Sequence, residues 1–150
     1  MNNITKSKTR LAAIQVIFQS LINKKNIKEV KNEFDKYYRN TSLEINGKKI
    51  IYNKNFLSLL IEYYILTEQN FNFFNEINKF IKFKRTFEKW DYINKALMIM
   101  AISELKNSDY KKHNLIINDY IEISKSFMTI KDTKIINAVL DNFLKTQTNE

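Results

Sequence analysis

Proline is absent from this chain of 150 residues, and Gly47 is its only glycine. These two residue types end helices and build most tight β-turns. A β-sandwich or barrel needs many such turns, whereas a helical bundle needs few. The composition therefore predicts an all-α fold, and the length fits a single domain over residues 1–150 that can bury a core without metals or disulfides.

Apolar residues recur three or four positions apart along most of the chain, which predicts a single compact bundle of about seven helices. The first helix is expected at about residues 5–23 and the second around residues 27–37. Residues 39–51 break the pattern around Asn46-Gly47, where we expect an exposed loop, although Asn-Gly can also turn a hairpin. The side chains predicted to form the core face of the first helix are Leu11, Ile14, Phe18, Leu21 and Ile22.

The remaining segments predict five more helices, the central one being apolar nearly all round. The third is expected around residues 56–66 and the fourth around 71–81, with Asn70 breaking or capping the chain between them. Asp91 is the expected N-cap of the central helix, in which residues 96–102 are all apolar. The sixth is expected at residues 117–127 and the seventh at 136–143, after a cap at Asp132 or Thr133, with residues 146–150 loose.

The charge of the chain is strongly positive. Lysine and arginine number 25 against 16 aspartate and glutamate residues, which gives a net charge of +9. Such a balance favours polyanionic partners such as RNA, DNA or an acidic membrane surface. The sequence contains no cysteine, and no apolar run has the length of a signal peptide or a membrane span, so we expect a soluble cytoplasmic protein.

Two stretches resemble the NusB family. Residues 6–18, KSKTRLAAIQVIF, resemble the family's arginine-rich opening, and residues 117–127, INDYIEISKSF, followed by residues 137–141, NAVLD, resemble its C-terminal pair of motifs. Trp90-Asp91 and Glu104-Leu105 resemble the ends of its central helix, while residues 26–88 match weakly. The chain departs from the family pattern where arginine is usual, at Lys6, Lys8 and Ile99, where proline is common, at Lys112, and where glycine is usual, at Ala138; Arg10 is kept.

The resemblance implies both a fold and a function. Members of the NusB family are all-helical, non-catalytic antitermination factors that pair with NusE, a small-subunit ribosomal protein. They bind the single-stranded boxA element of nascent ribosomal RNA and help RNA polymerase to read through terminators. We therefore expect boxA-type RNA, NusE and the polymerase antitermination complex as partners, and no membrane.

The candidate RNA-binding residues are basic and aromatic. Lys6, Lys8 and Arg10 fall in the first turns of a helix, where the positive end of the helix dipole disfavours cations, so together with the resemblance we interpret them as contacts to RNA phosphates rather than as a solvated terminus. Helical spacing makes core packing the default for Phe18 and Phe127, with base stacking as the alternative. Further candidates are Lys125 and Lys134, either as part of the basic surface or as solvated lysines, and Asn118, Asn137 and Asp141 as structural motif residues, the two asparagines bonding across the bundle.

Catalytic and cofactor chemistry finds no support in the sequence. His113 is the only histidine, no cysteine exists, and the acidic residues have no partner at metal-ligand spacing. A single glycine excludes a phosphate-cradling loop. We expect no metal, no cofactor and no enzyme activity; the competing hypotheses are a generic basic RNA-binding or scaffold protein, a NusB-like domain detached from an RNA methyltransferase, and a membrane-surface protein.

Overall fold

The computed structural model of the chain describes residues 1–38, 44–45, 48–49, 52–81 and 86–148. Within these ranges the chain forms seven α-helices and one two-stranded antiparallel sheet, and the prediction of an all-α bundle is confirmed. Two short 3₁₀ segments, Phe87–Lys89 and Tyr110–Lys112, precede the fifth and sixth helices. The elements are α1 Asn3–Asn23, α2 Ile27–Tyr38, β1 Glu44–Ile45, β2 Lys48–Lys49, α3 Lys54–Asn70, α4 Phe73–Asn78, α5 Tyr92–Lys106, α6 His113–Ser124 and α7 Ile130–Thr148.

Asparagine side chains start several helices by accepting hydrogen bonds from the exposed amides of the first turn. Asn2 accepts from the Thr5 amide at 2.8 Å, and Asn53 caps α3 at the same distance. Asn72, rather than Asn70, caps α4. With no proline available, these side chains define where helices begin.

The caps predicted for the two C-terminal helices differ in detail from those observed. Asp91 occupies the N-cap position of α5, as predicted, but its side chain makes no capping hydrogen bond. Helix α7 begins earlier than predicted, because Thr129 Oγ1 accepts from the Asp132 amide at 3.1 Å. The helix then continues to Thr148, beyond the expected loose end at residue 146.

Helix α5 lies at the centre of the core, as the sequence predicts. Every residue from 95 to 105 is buried, and α1, α3 and α6 pack around the helix. A helix that is apolar on all sides is stable only when other elements cover it completely. The surrounding helices therefore present their own partly polar outer faces to solvent.

The face that α1 presents to the core is rotated from the predicted one. Ile22 is 47% exposed, and Leu11 and Phe18 are only partly buried. Small side chains let two helix backbones approach closely, and two alanines lie at this contact. The residues that are buried are Thr9, Arg10, Ala12, Ala13, Ile14, Val16 and Ile17.

The expectation of a plain loop between α2 and α3 is wrong for the residues that the structure describes there. Glu44 pairs with Lys49 and Ile45 with Lys48, in antiparallel register. Residues 46–47 lie outside the described ranges. The Asn-Gly hairpin signal was the better indicator at this position.

Candidate nucleic-acid interface

A buried ionic cluster joins α1, α5 and α6. Arg10 Nε and Nη2 donate to the two carboxylate oxygens of Glu104, at 2.9 and 2.7 Å, and Nη1 donates to Asp119 at 2.6 Å. The Arg10 residue is 7% exposed and Glu104 is 3% exposed. The first pair has the two-pronged geometry that a planar guanidinium makes with a carboxylate.

Further groups enclose this cluster. Tyr120 donates its hydroxyl to Glu104 Oε1 at 2.7 Å, and Ser7 donates to the second oxygen of Asp119. The Arg10 guanidinium lies 5.5 Å from the centroid of the Phe56 ring and 5.8 Å from that of Tyr120, within cation–π range. Four helices therefore meet at this one arginine.

The electrostatics of the cluster keep it in a single protonation state. Burial opposes the charge on Arg10, but the hydrogen bonds and charge of Glu104 outweigh it and raise the pKa of Arg10 above its ordinary value. Burial first, and the charge of Glu104 second, hold the pKa of Tyr120 well above its ordinary value. Arg10 is thus permanently charged and Tyr120 remains a hydrogen-bond donor.

This environment corrects the interpretation of Arg10 as an RNA contact. Its side chain points into the core, and its donors are directed at two carboxylates rather than at solvent. Those carboxylates also account for a cation near the positive end of the helix dipole, because they neutralise it locally. The structure therefore favours a structural role for Arg10.

Lys6 and Lys8 remain available on the first turns of α1. Both are half-buried, and neither forms an ion pair with any residue that the structure describes. Two residues of helix correspond to a rotation of about 200°, so these lysines lie on opposite sides of α1. Lys6 lies on the same side as Arg10, and Lys8 lies on the outer side with Gln15.

A groove of about 450 Å³ lies directly above the ionic cluster. Lys6 and Asn3 of α1 form one wall, and Leu59 and Tyr63 of α3 form another. The start of α6 forms the third wall, with Lys112 immediately before it. The residues of α6 that line the groove are Leu115, Ile116, Asn118, Asp119 and Glu122.

The other candidate RNA-binding residues lie at different places on the surface. Phe18 is half-buried and packs against the core. Helix α6 ends at Ser124, so Phe127 lies in the link to α7, where it is 37% exposed. Lys125 is exposed and paired with Glu122 at 2.7 Å, and Lys134 is exposed beside Lys131 in a hollow rimmed by isoleucines.

The predicted hydrogen bonds of two asparagines across the bundle are wrong. Asn118 and Asn137 are both exposed, and the structure gives neither a side-chain hydrogen bond to another described residue; Asp141 is exposed as well. Asp119 makes the cross-bundle bond instead, because one residue along a helix turns the side chain by about 100°. Sequence reasoning missed Glu104, Asp119 and Tyr120, although charged residues on an apolar helix were a usable signal.

The model of the NusB family matches residues 7–145 of the chain. The chain belongs to the NusB family. Two relatives with the description "Transcription antitermination protein NusB" illustrate the distance. The relative from Psychromonas ingrahamii is 25% identical over 97% of this chain and 91% of its own length, and the one from Buchnera aphidicola is 30% identical over 95% and 92%.

Solved structures show the NusB-like fold independently of close sequence similarity. A chain in the crystal structure of a plectonemic RNA supercoil superposes with a TM-score of 0.75 at 17% identity, covering 96% of both chains. A chain in the crystal structure of antitermination factors NusB and NusE in complex with dsRNA gives a TM-score of 0.71 at 16% identity, covering 97% of this chain and 99% of that one. Among the described residues, no helix is long and apolar enough to cross a membrane.

Proposed function

We propose that this NusB-family chain is a transcription antitermination factor that binds boxA-type RNA together with NusE and helps RNA polymerase to read through terminators. The observation that carries the proposal is the family match over residues 7–145. The superposition on a chain from a NusB–NusE complex with dsRNA supports the same partners. The role is one of binding rather than catalysis, and it is exercised in the cytoplasm, where transcripts are made.

The proposed RNA surface begins at the first turns of α1. Lys6 and Lys8 supply charge there, and each phosphate contact releases counterions and makes binding more dependent on salt. Arg10 contributes by anchoring α1 to α5 and α6 rather than by touching RNA. Further contacts are proposed for Phe18, Lys125, Phe127 and Lys134.

The competing function is that of a generic basic RNA-binding or scaffold protein. The net charge of +9 alone would support it. Such a protein would bind all single-stranded RNAs alike, since non-specific affinity comes from phosphate neutralisation. Selectivity for one RNA element and dependence on a protein partner separate the two functions.

The test is a titration of labelled RNA with the purified protein, alone and with NusE, at several salt concentrations. The RNAs are a single strand containing a boxA-like element, a scrambled strand of equal composition, and a duplex. The variant is Lys6→Ala/Lys8→Ala. The control variant is Lys24→Ala/Lys28→Ala, which removes the same charge from exposed positions beyond the far end of α1, roughly 27 Å along the helix axis from Lys6.

We expect selective binding of the boxA strand that tightens with NusE. Each lost contact to a single strand lowers the slope of log affinity against log salt by about 0.7, so the double variant should lose about 1.4 if both lysines touch phosphates. The control should leave the slope unchanged. Equal binding of all three RNAs, unaffected by NusE, would reject the antitermination function in favour of the generic one.

A further inference from the structure

The connection between α5 and α6 carries an exposed aromatic residue beside two lysines. Tyr110 is 73% exposed, and Lys111 and Lys112 are exposed with no ion pair to a described residue. Burying an apolar ring usually lowers the free energy of a fold, so a ring left this open contributes little to stability. Its position suits contact with a partner instead.

The backbone under this aromatic residue is well held. Asp109 accepts from the Lys111 amide through its side chain at 3.1 Å and from the Lys112 amide through its carbonyl at 2.9 Å. The His113 ring lies 3.3 Å from the Ser108 carbonyl oxygen. The 3₁₀ turn at Tyr110–Lys112 is therefore a fixed platform whose ordering costs little on binding.

The groove above the ionic cluster connects this platform to the N-terminus of α1. Lys112 and Lys6 both line it, from opposite walls. Its carboxylates are already engaged: Glu104 and Asp119 by Arg10, and Glu122 by Lys125. The charges left to meet a ligand are thus the two lysines, which makes the groove attractive to an anion.

Aromatic groups complete the chemistry of the surface. Tyr63 lines the groove and Tyr110 stands beyond its rim at Lys112. Alternating cations and exposed aromatic rings are what single-stranded RNA requires, since phosphates need charge and unpaired bases need flat apolar faces. An acidic protein segment would use the lysines but would gain less from an open tyrosine ring.

We infer that Tyr110, Lys111 and Lys112 form a second RNA-contacting platform, which continues the α1 surface across the groove and stacks a base of the single strand on Tyr110. This inference rests on the proposed function. It extends the RNA path from the start of α1 to the start of α6, a region that the motif resemblance did not mark as RNA-binding. Lys6 then contacts the strand between the two ends of this path.

The test uses the full-length protein, the same single-stranded boxA RNA and the same salt series. Tyr110→Ala should weaken binding by roughly 5- to 150-fold, the range for loss of one stacked base, and Tyr110→Phe, which keeps the ring, should restore most of it. Lys111→Ala/Lys112→Ala should lower the salt slope by about 1.4. The controls are Tyr37→Ala on α2, where the ring is 56% exposed, and the Lys24→Ala/Lys28→Ala variant. Thermal unfolding of each variant establishes that the fold is intact.

Three outcomes separate the hypotheses. If the wild type binds boxA RNA and the Lys6→Ala/Lys8→Ala variant is weakened, but the Tyr110 and Lys111/Lys112 variants bind as the wild type does, the platform is refuted and the proposed function stands. If those variants lose NusE affinity while RNA binding by the protein alone is unchanged, the surface is a protein site and the inference is again overturned. If the wild type has no selective RNA binding, the proposed function itself fails.

Discussion

Replacing Arg10 by methionine tests the central structural conclusion, that this arginine supports the fold rather than contacting RNA. Methionine has a similar length and fills much of the same space, so the change mainly removes the charge and the donors. It leaves Glu104, whose side chain is 4% exposed, without its ionic partner. Asp119 is affected less, because its side chain is 18% exposed and Ser7 still donates to it.

The expected cost follows from the depth of the pair. Removing one member of a buried ion pair destabilises a protein by about 3–5 kcal/mol, since the remaining charge stays buried without compensation. With a urea dependence of about 2 kcal/mol per molar for a domain of this size, the unfolding midpoint of Arg10→Met should fall by about 1.5–2.5 M. Urea titration followed by circular dichroism measures this shift.

The same variant should show a distinctive pH dependence. Without Arg10, burial raises the folded-state pKa of Glu104 above its unfolded value. The folded variant then binds more protons than the unfolded chain between the two pKa values, so its stability increases as the pH falls. The deficit relative to the wild type should therefore shrink between pH 7 and pH 5.

A double variant provides the refutation. Arg10→Met/Glu104→Met removes both charges, and replacing a buried pair by apolar residues is often close to neutral. We expect the double variant to lie within about 2 kcal/mol of the wild type, far above the sum of the single changes. A loss below about 1 kcal/mol in Arg10→Met, or simple additivity in the double variant, would show that the cluster does not hold the helices together.

Three further predictions concern stability. Tyr120→Phe removes a buried hydrogen bond to a carboxylate and should cost about 1.5–3 kcal/mol in chemical unfolding, whereas no measurable loss would contradict the 2.7 Å contact to Glu104. Burial, and secondarily Glu68, raise the pKa of Tyr64 from 10.0 to about 12, so the folded state retains a proton that the unfolded state loses; wild-type stability should fall between pH 10 and 12, and Tyr64→Phe should make that fall smaller. Leu97→Ala, at a fully buried position of α5, should cost about 2–5 kcal/mol, whereas Leu115→Ala, 63% exposed on the groove wall, should stay within about 0.5 kcal/mol of the wild type by thermal unfolding.

The helices were predictable because their signals are local. The spacing of apolar residues, the absence of proline and the all-apolar run of residues 96–102 each act over a few turns, and none depends on which helix lies opposite. The orientation of α1 was not predictable in this way. Its buried face includes Thr9, Arg10 and two alanines, and only the neighbouring helices determine that these face inward while Ile22 does not.

The candidate site shows the same division between local and tertiary information. The polar residues Asn118 and Asp119 are adjacent in sequence, and nothing local decides which one reaches across the bundle. Arg10, near the start of the chain, places that role on Asp119. Tyr110–Lys112 was visible as a polar connection, but the groove that joins it to Lys6 exists only after α1, α3 and α6 assemble.

The basic run at the start of α1 also explains which of its residues tolerate lysine. The chain has lysine at positions 6 and 8, where the resemblance to the NusB family suggests arginine, and it keeps arginine at position 10. Arg10 binds Glu104 with two donors and Asp119 with a third, a planar fork that an ammonium group cannot reproduce. A contact to a phosphate of flexible RNA requires mainly charge, which lysine supplies. Arg10→Lys should therefore destabilise the fold, whereas arginine at position 6 or 8 should leave stability unchanged and alter only RNA affinity.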